Sequence, residues 1–175
     1  MFVLGIDPGV SRCGFGAVRR TRAEGLQAVR AGVITTPPSD PLPDRLASLA
    51  AELARLLDEI RPDAVVVERV FFQTNVRTAM SVGQASGLAL AAAATAGCDV
   101  AQYTANEVKQ AVAGYGAATK LQVQRMVQSI LGLDEVPRPP DAADALALAV
   151  CHLTLAPRLA RIEAAAAAAR EVRVP

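Results

Sequence analysis

Phe2-Val3-Leu4-Gly5-Ile6-Asp7-Pro8-Gly9 is a short apolar run that ends in one carboxylate and a Pro-Gly turn. A continuous apolar run bounded by turn residues reads as a strand buried on both faces. Asp7 then stands at the exit of a central strand, where a lone carboxylate is costly unless something positive meets it. Gly9-Val10-Ser11 lets a backbone or a phosphate approach closely. A second buried run, Ala64-Val65-Val66-Val67, ends in Glu68. Ligands of open α/β sheets gather at such strand ends.

Gly14 to Arg19 alternates small or apolar with polar residues and predicts a second strand, and Leu26 to Thr35 a third. The connections are short enough for antiparallel neighbours. Asp44 is the expected N-cap of a helix to Ile60, with Leu46, Leu49, Leu53, Leu56, Leu57 and Ile60 on one stripe. That helix is a crossover, so the Ala64 strand pairs in parallel. A long helix is expected from Asn75 to Ala96. Gly83 and Gly87 inside it each cost about 1 kcal/mol against Ala, which predicts close packing against a neighbour: the helix's own sheet or a second subunit. Asp99 to Tyr103 is the last strand. Thr104 with Glu107 forms a capping box for a helix to Val112, and Thr119 opens another to Leu131. Asp141 to Leu155 is the final core helix, which Pro157 is expected to end or kink. The fold class is α/β, a mixed five-stranded sheet with helices on both faces. Residues 1–156 form one domain, and 157–175 an alanine- and arginine-rich tail.

Hydrophobic residues make up 52% of the 175, but Trp is absent and aromatics are 3%, so Ala and branched aliphatics must fill the core. The formal charge of +1 is unevenly spread. Between Ser11 and Arg30 there are five arginines against the single acid Glu24, so a basic surface can sit beside an acidic pocket. Cys13, Cys98 and Cys151 are far apart and form no CxxC, which suits reduced thiols and gives no zinc site. Asp7 interrupts the first apolar run, so no signal peptide is read. The apolar stretch Ala85–Cys98 is too short to span a bilayer. A cytoplasmic protein without a membrane partner is expected.

Pro139-Pro140-Asp141-Ala142-Ala143-Asp144 starts a helix with carboxylates at i and i+3, on one face and in the first turn. Singly, each acid has an ordinary explanation: Asp141 and Asp144 as cap and dipole partners, Glu68 as the end of a strand, Asp7 as turn chemistry. Together they point elsewhere. Four carboxylates converging on one cleft repel unless divalent cations sit between them. All-oxygen ligation means a hard ion, Mg²⁺ or Mn²⁺, and His152 lies too far along the helix to join. Two metals about 3.5–4 Å apart are a known device for phosphodiester displacement. If the four acids converge, at least one has a raised pKa, and neutralising Asp141 is expected to stabilise the metal-free protein.

Gly5-Ile6-Asp7-Pro8-Gly9, Val67-Glu68-Arg69-Val70-Phe71, Val108-Lys109-Gln110, Lys120-x-Gln122-Val123 and Asp141-Ala142-Ala143-Asp144-Ala145-Leu146-Ala147 resemble, in order and without a large gap, the RuvC family of Holliday-junction resolvases. The resemblance implies an RNase H-like (retroviral-integrase-type) fold and a homodimer that makes paired nicks in four-way DNA junctions at short T-rich sites, in recombination and repair. It implies partnership with the branch-migration proteins RuvA and RuvB. It makes Asp7, Glu68, Asp141 and Asp144 the catalytic ligands of two Mg²⁺ per subunit, with Mn²⁺ able to substitute. It assigns Lys109 and Lys120 to DNA phosphates, adds Arg12 and Arg77 to the DNA-binding set, and places Phe71 or Phe72 against a base, a stacking worth roughly 1–3 kcal/mol.

Three other readings stand beside it. An actin-like or sugar-kinase-like half shares the Asp-Pro-Gly turn but needs a second lobe. A non-catalytic junction binder would not need four acids, since binding is helped by basic residues. A resolvase-like RNA-processing nuclease has the same opening, but the lysine motifs and the DxxD helix fit it less well.

Overall fold

The computed structural model describes residues 1–22, 25–69 and 76–171, and of residues 76–78 and 158–171 the backbone alone. The elements run β1 (Phe2–Asp7), β2 (Arg12–Thr21), β3 (Gly25–Thr35), α1 (Leu42–Ile60), β4 (Ala64–Glu68), α2 (Val76–Thr95), β5 (Asp99–Tyr103), α3 (Ala105–Ala113), α4 (Lys120–Leu131) and α5 (Pro140–Glu171). The sheet order is β3-β2-β1-β4-β5. The first three strands meander antiparallel, and β4 and β5 join in parallel after α1 and α2. This is the mixed sheet the sequence predicts.

Side-chain alternation divides the core in two. Leu4, Ile6, Val65 and Val67 face α1 and α2 and pack with Leu49, Leu53, Leu56, Ala85 and Ala89. Val3, Val18, Ala64 and Val66 face the other way, toward α3, α4 and α5, with Val108, Val127, Leu146 and Val150. Few aromatics are needed because α2 and α5 present alanines to the sheet and pack close. Among the described residues no helix is long and apolar enough to cross a membrane.

Three local expectations need correction. Asp44 does not cap α1: Pro41 takes the N-cap position and Asp44 lies inside the first turn. Proline in a first turn forfeits no helix hydrogen bond, because that N–H has no intrahelical partner. Pro157 does not end α5, which runs on to Glu171. A proline removes the N–H that would pair with the carbonyl four residues back, here Leu153. The guanidinium of Arg20 donates to that carbonyl instead, so the break is satisfied from β2. Of the two neighbours expected for Gly83 and Gly87, the helix's own sheet is not one: among the described residues a Cβ at either would meet nothing within 4 Å. Ala85, Ala89 and Ala93 are the α2 residues fully buried against the sheet.

Candidate active site

Strand alternation aims two acids at one place. In β1, Val3, Gly5 and Asp7 share a face, and in β4 Ala64, Val66 and Glu68 share one. The two strands pair in parallel with Ile6 opposite Val67, so Asp7 and Glu68 leave neighbouring strands at the same level, toward α5. β4 then pairs Glu68 with Tyr103, after which Thr104 starts α3.

α5 reaches these acids because the sheet beneath it lacks side chains. A Cβ on Gly5 would be driven into the backbone carbonyl of Ala145, and one on Gly14 into that of Asp141. A Cβ on Gly16 would stand 2.7 Å from the Leu146 amide nitrogen. Gly5 is opposite Gly16 and Asp7 opposite Gly14 in the β1–β2 ladder. The glycines thus form a flat track that lets the first turns of α5 lie on the sheet beside Asp7. This sets the depth of Asp141 and Asp144. The G-x-G of Gly14 and Gly16 was visible in the sequence, but its purpose depends on which helix lies above it.

The electrostatics follow from this crowding. Asp7 has its pKa pushed up to about 7 by burial first, then by Glu68, Asp144 and Asp141. Glu68 is also raised, by burial and by Asp144, with a hydrogen bond from Asp7 acting the other way. Asp144 is raised by burial, partly offset by its ion pair with Lys120. Asp141 departs from the group: its pKa is held below the usual range because Arg12 donates to its Oδ2 from Nε at 3.1 Å and Nη2 at 2.8 Å. Burial works against the Lys120 ammonium, but Asp144, Asp7 and Asp141 outweigh it and raise its pKa.

Asp7, Glu68, Asp144, Lys109 and Lys120 line one cleft of about 390 Å³ between β1, β4, α3, α4 and α5. Capping boxes at Thr104–Glu107 and Thr119–Gln122 fix the starts of α3 and α4. Val108 and Val123 are buried in the core beneath, which leaves Lys109 and Lys120 toward the cleft. Asp141 is at the rim, tied to Arg12. Among the described residues no three acid, His or Cys side chains form a ready-made metal cage. The donors are all hard oxygens, a set that suits a hard divalent cation, and their mutual repulsion favours positive charge between them. Two of them are held by cationic side chains instead. His152 is packed, with Nδ1 3.0 Å from the Tyr103 hydroxyl. Phe71 and Phe72 lie outside the described residues, as does the side chain of Arg77.

Sequence reasoning missed the brace behind the Asp7 turn. Thr36 Oγ1 donates to the Val10 carbonyl at 2.6 Å, and Arg45 donates to Thr36 Oγ1 and to the Ser11 hydroxyl. Arg45 lies in α1, so a helix on the far face of the sheet holds the loop between Asp7 and Arg12. A Cβ on Gly9 would collide with the Arg12 carbonyl, so this glycine serves closure of the turn on itself.

The family described as "Crossover junction endodeoxyribonuclease RuvC" matches residues 3–152. A protein of that name from Parafrankia sp. is 52% identical over 94% of this chain and 93% of its own length. One from Frankia alni is 53% identical over 97% and 86%. Among solved structures, T. thermophilus RuvC in complex with Holliday junction substrate superposes with a TM-score of 0.84 at 42% identity, covering 89% of this chain and 94% of that one. The yeast mitochondrial resolvase Ydc2, at 14% identity, 85% and 77% coverage and a TM-score of 0.64, shares the fold. The chain belongs to the RuvC family of crossover junction endodeoxyribonucleases.

Proposed function

We propose that this protein resolves four-way DNA junctions in the cytoplasm by paired, symmetric, Mg²⁺-dependent phosphodiester hydrolysis, as a homodimer serving recombination and DNA repair. The observation that carries the reading is the cleft itself. Asp7, Glu68 and Asp144 stand in it with Lys109 and Lys120, in a chain of the RuvC family.

Asp7 and Glu68 would hold two cations from the sheet side, and Asp144 and Asp141 from the first turns of α5. Bound Mg²⁺ supplies Lewis acidity at the phosphoryl oxygen and lowers the pKa of an attacking water; Mn²⁺ takes the same oxygen ligands. Asp7, with its pKa raised to about 7 and beside Glu68, favours a shared proton on that pair in the metal-free protein, and metal binding would be coupled to its release. Lys109 and Lys120 hold phosphates at the cleft wall and position the backbone without reading bases. Phe71 and Phe72 follow Glu68 closely in the chain, which suits stacking on a base beside the cut, and Arg77 at the start of α2 adds a phosphate contact. The catalytic unit is residues 1–156, since the last described buried side chain of α5 is Leu153, and 157–175 is the tail, of which 157–171 continue α5. The branch-migration proteins RuvA and RuvB are the proposed partners.

The test is cleavage of a four-way junction, a linear duplex and a structured RNA of equal length. Junction-selective paired nicks in Mg²⁺ are expected, with binding but little cutting in Ca²⁺, which takes longer bonds and looser geometry. Asp7→Asn and Glu68→Gln should lose cutting by 10²-fold or more, on the order expected when an essential catalytic group is removed, and still bind the junction. Preferential cutting of the RNA would replace this reading by that of an RNA-processing nuclease.

A further inference from the structure

Arg12 is placed as no ordinary surface cation would be. Its backbone is anchored on both sides: Gly9 is folded onto its carbonyl, Ser11 is held by Arg45, and the Thr36 amide donates to the Ser11 carbonyl. Its side chain is half exposed and ends on Oδ2 of Asp141 through two nitrogens. Leaving Asp141 requires only a change of rotamer on a fixed base. Arg12 is not part of the cleft wall that Lys109 and Lys120 line; it meets the acids from the β2 side. Asp141 stands outside the cleft lining that holds Asp7, Glu68 and Asp144, and Arg12 is its ion-pair partner.

We propose that Arg12 is a counter-ion lock on Asp141 that incoming divalent cations open, and that the freed guanidinium then takes a DNA phosphate, so that metal and junction bind cooperatively through one side chain. The inference rests on the reading of this site as a metal-dependent nuclease. Arg12 here is a positioning residue: it acts through Asp141 and through the backbone of the DNA, not on the reacting atoms. Linkage then dictates reciprocity, since whatever factor the metal adds to junction affinity the junction adds to metal affinity. Lys120 makes the same kind of pair with Asp144, but from inside the cleft, where it already faces the DNA path. Arg12 alone changes partner and direction.

The experiment measures junction affinity against salt, in EDTA and in Ca²⁺, and Ca²⁺ affinity without DNA by calorimetry. It compares wild type, Arg12→Ala, Asp141→Asn and the double variant, each first checked for a cooperative melt. In Ca²⁺, Arg12→Ala should lower the salt slope by about one phosphate contact relative to wild type, while in EDTA the two slopes coincide. Arg12→Ala should bind Ca²⁺ alone about two- to five-fold more tightly, the range set by a partly exposed ion pair. Asp141→Asn should release Arg12 without metal and steepen the slope in EDTA, and the double variant should abolish that gain. Equal loss of slope in EDTA and Ca²⁺ on Arg12→Ala would make Arg12 a permanently free phosphate contact and overturn the lock. No loss in either would make the pair a surface ornament and overturn it too. A wild type that gains neither junction affinity nor thermal stability from Ca²⁺ would instead overturn the metal-site reading beneath it.

Discussion

Asp7 shows how position alone converts an ordinary acid into a strained one. Its folded pKa of about 7 lies above the reference value of 3.8. A raised carboxyl contributes stability that is fully present below the unfolded pKa and is lost as the pH rises through the folded one. The metal-free protein should therefore lose on the order of a few kcal/mol through this group between about pH 4 and pH 7. Asp7→Asn removes that titration. Melted in EDTA, it should exceed wild type at about pH 8 and approach it at about pH 5; parallel melting curves across that range would contradict the burial and repulsion described for Asp7. Asp141 has the opposite sign. Arg12 depresses its pKa, so its contribution is present above the reference value and lost as the pH falls below it. Asp141→Asn breaks a partly exposed ion pair and should cost less than about 1 kcal/mol. The relief of strain expected from the sequence at Asp141 thus belongs to Asp7. That acidic residues would collect here was legible from two strand ends and a DxxD helix. Which acid carries the strain depended on where Arg12 reached, and Arg12 and Asp141 are 129 positions apart in the chain, far beyond what periodicity records.

At the scale of elements, α5 is held by two devices that no helical pattern reveals. One is the glycine track beneath its first turns. Gly14→Ala would force a methyl group into the Asp141 carbonyl, and backbone cannot swing aside as a side-chain tip can. The expected cost is about 1–3 kcal/mol, with cleavage reduced further because Asp141 and Asp144 move with the helix. The other is Arg20, whose guanidinium takes the Leu153 carbonyl that Pro157 leaves unpaired. Arg20→Met should destabilise by about 1–3 kcal/mol while leaving junction cutting per folded molecule unchanged. Urea unfolding together with nuclease assays separates the two: a Gly14→Ala protein as stable and active as wild type would mean that α5 does not rest on β2 as described. The capping boxes of α3 and α4 stand in contrast. Thr104–Glu107 and Thr119–Gln122 are complete within four residues, and the two starts they mark coincide with expectation. Pro157 reads in the sequence as an end or a kink because its remedy comes from β2, far away in the chain.

At the scale of the molecule, the homodimer proposed above needs a face for a second copy, and α2 offers one. Its alanines are buried against the sheet, while among the described residues nothing stands within 4 Å of a Cβ at Gly83 or Gly87 and Met80 is 62% exposed. Within one chain, Gly87→Ala should be neutral or stabilising by up to about 1 kcal/mol. Gly87→Arg, which places a long charged side chain on this face, should instead drive the protein toward monomer in sedimentation velocity and turn paired nicks into uncorrelated single ones. A dimer unchanged by Gly87→Arg would put the interface elsewhere. By itself the sequence determined the mixed character of the five-stranded sheet, the starts of α3 and α4, and the four candidate acids. Each of these is written in local signals: apolar runs ended by a carboxylate, capping residues, and a short spacing on one helix face. Tertiary structure alone decided that β1 and β4 release Asp7 and Glu68 at one level, that Gly5, Gly14 and Gly16 admit α5 beside them, and that Arg12 and Lys120 take two of the four charges. Those outcomes rest on close approach between segments remote in the chain, and the strength of burial, repulsion and ion pairing depends on distances that no local pattern encodes.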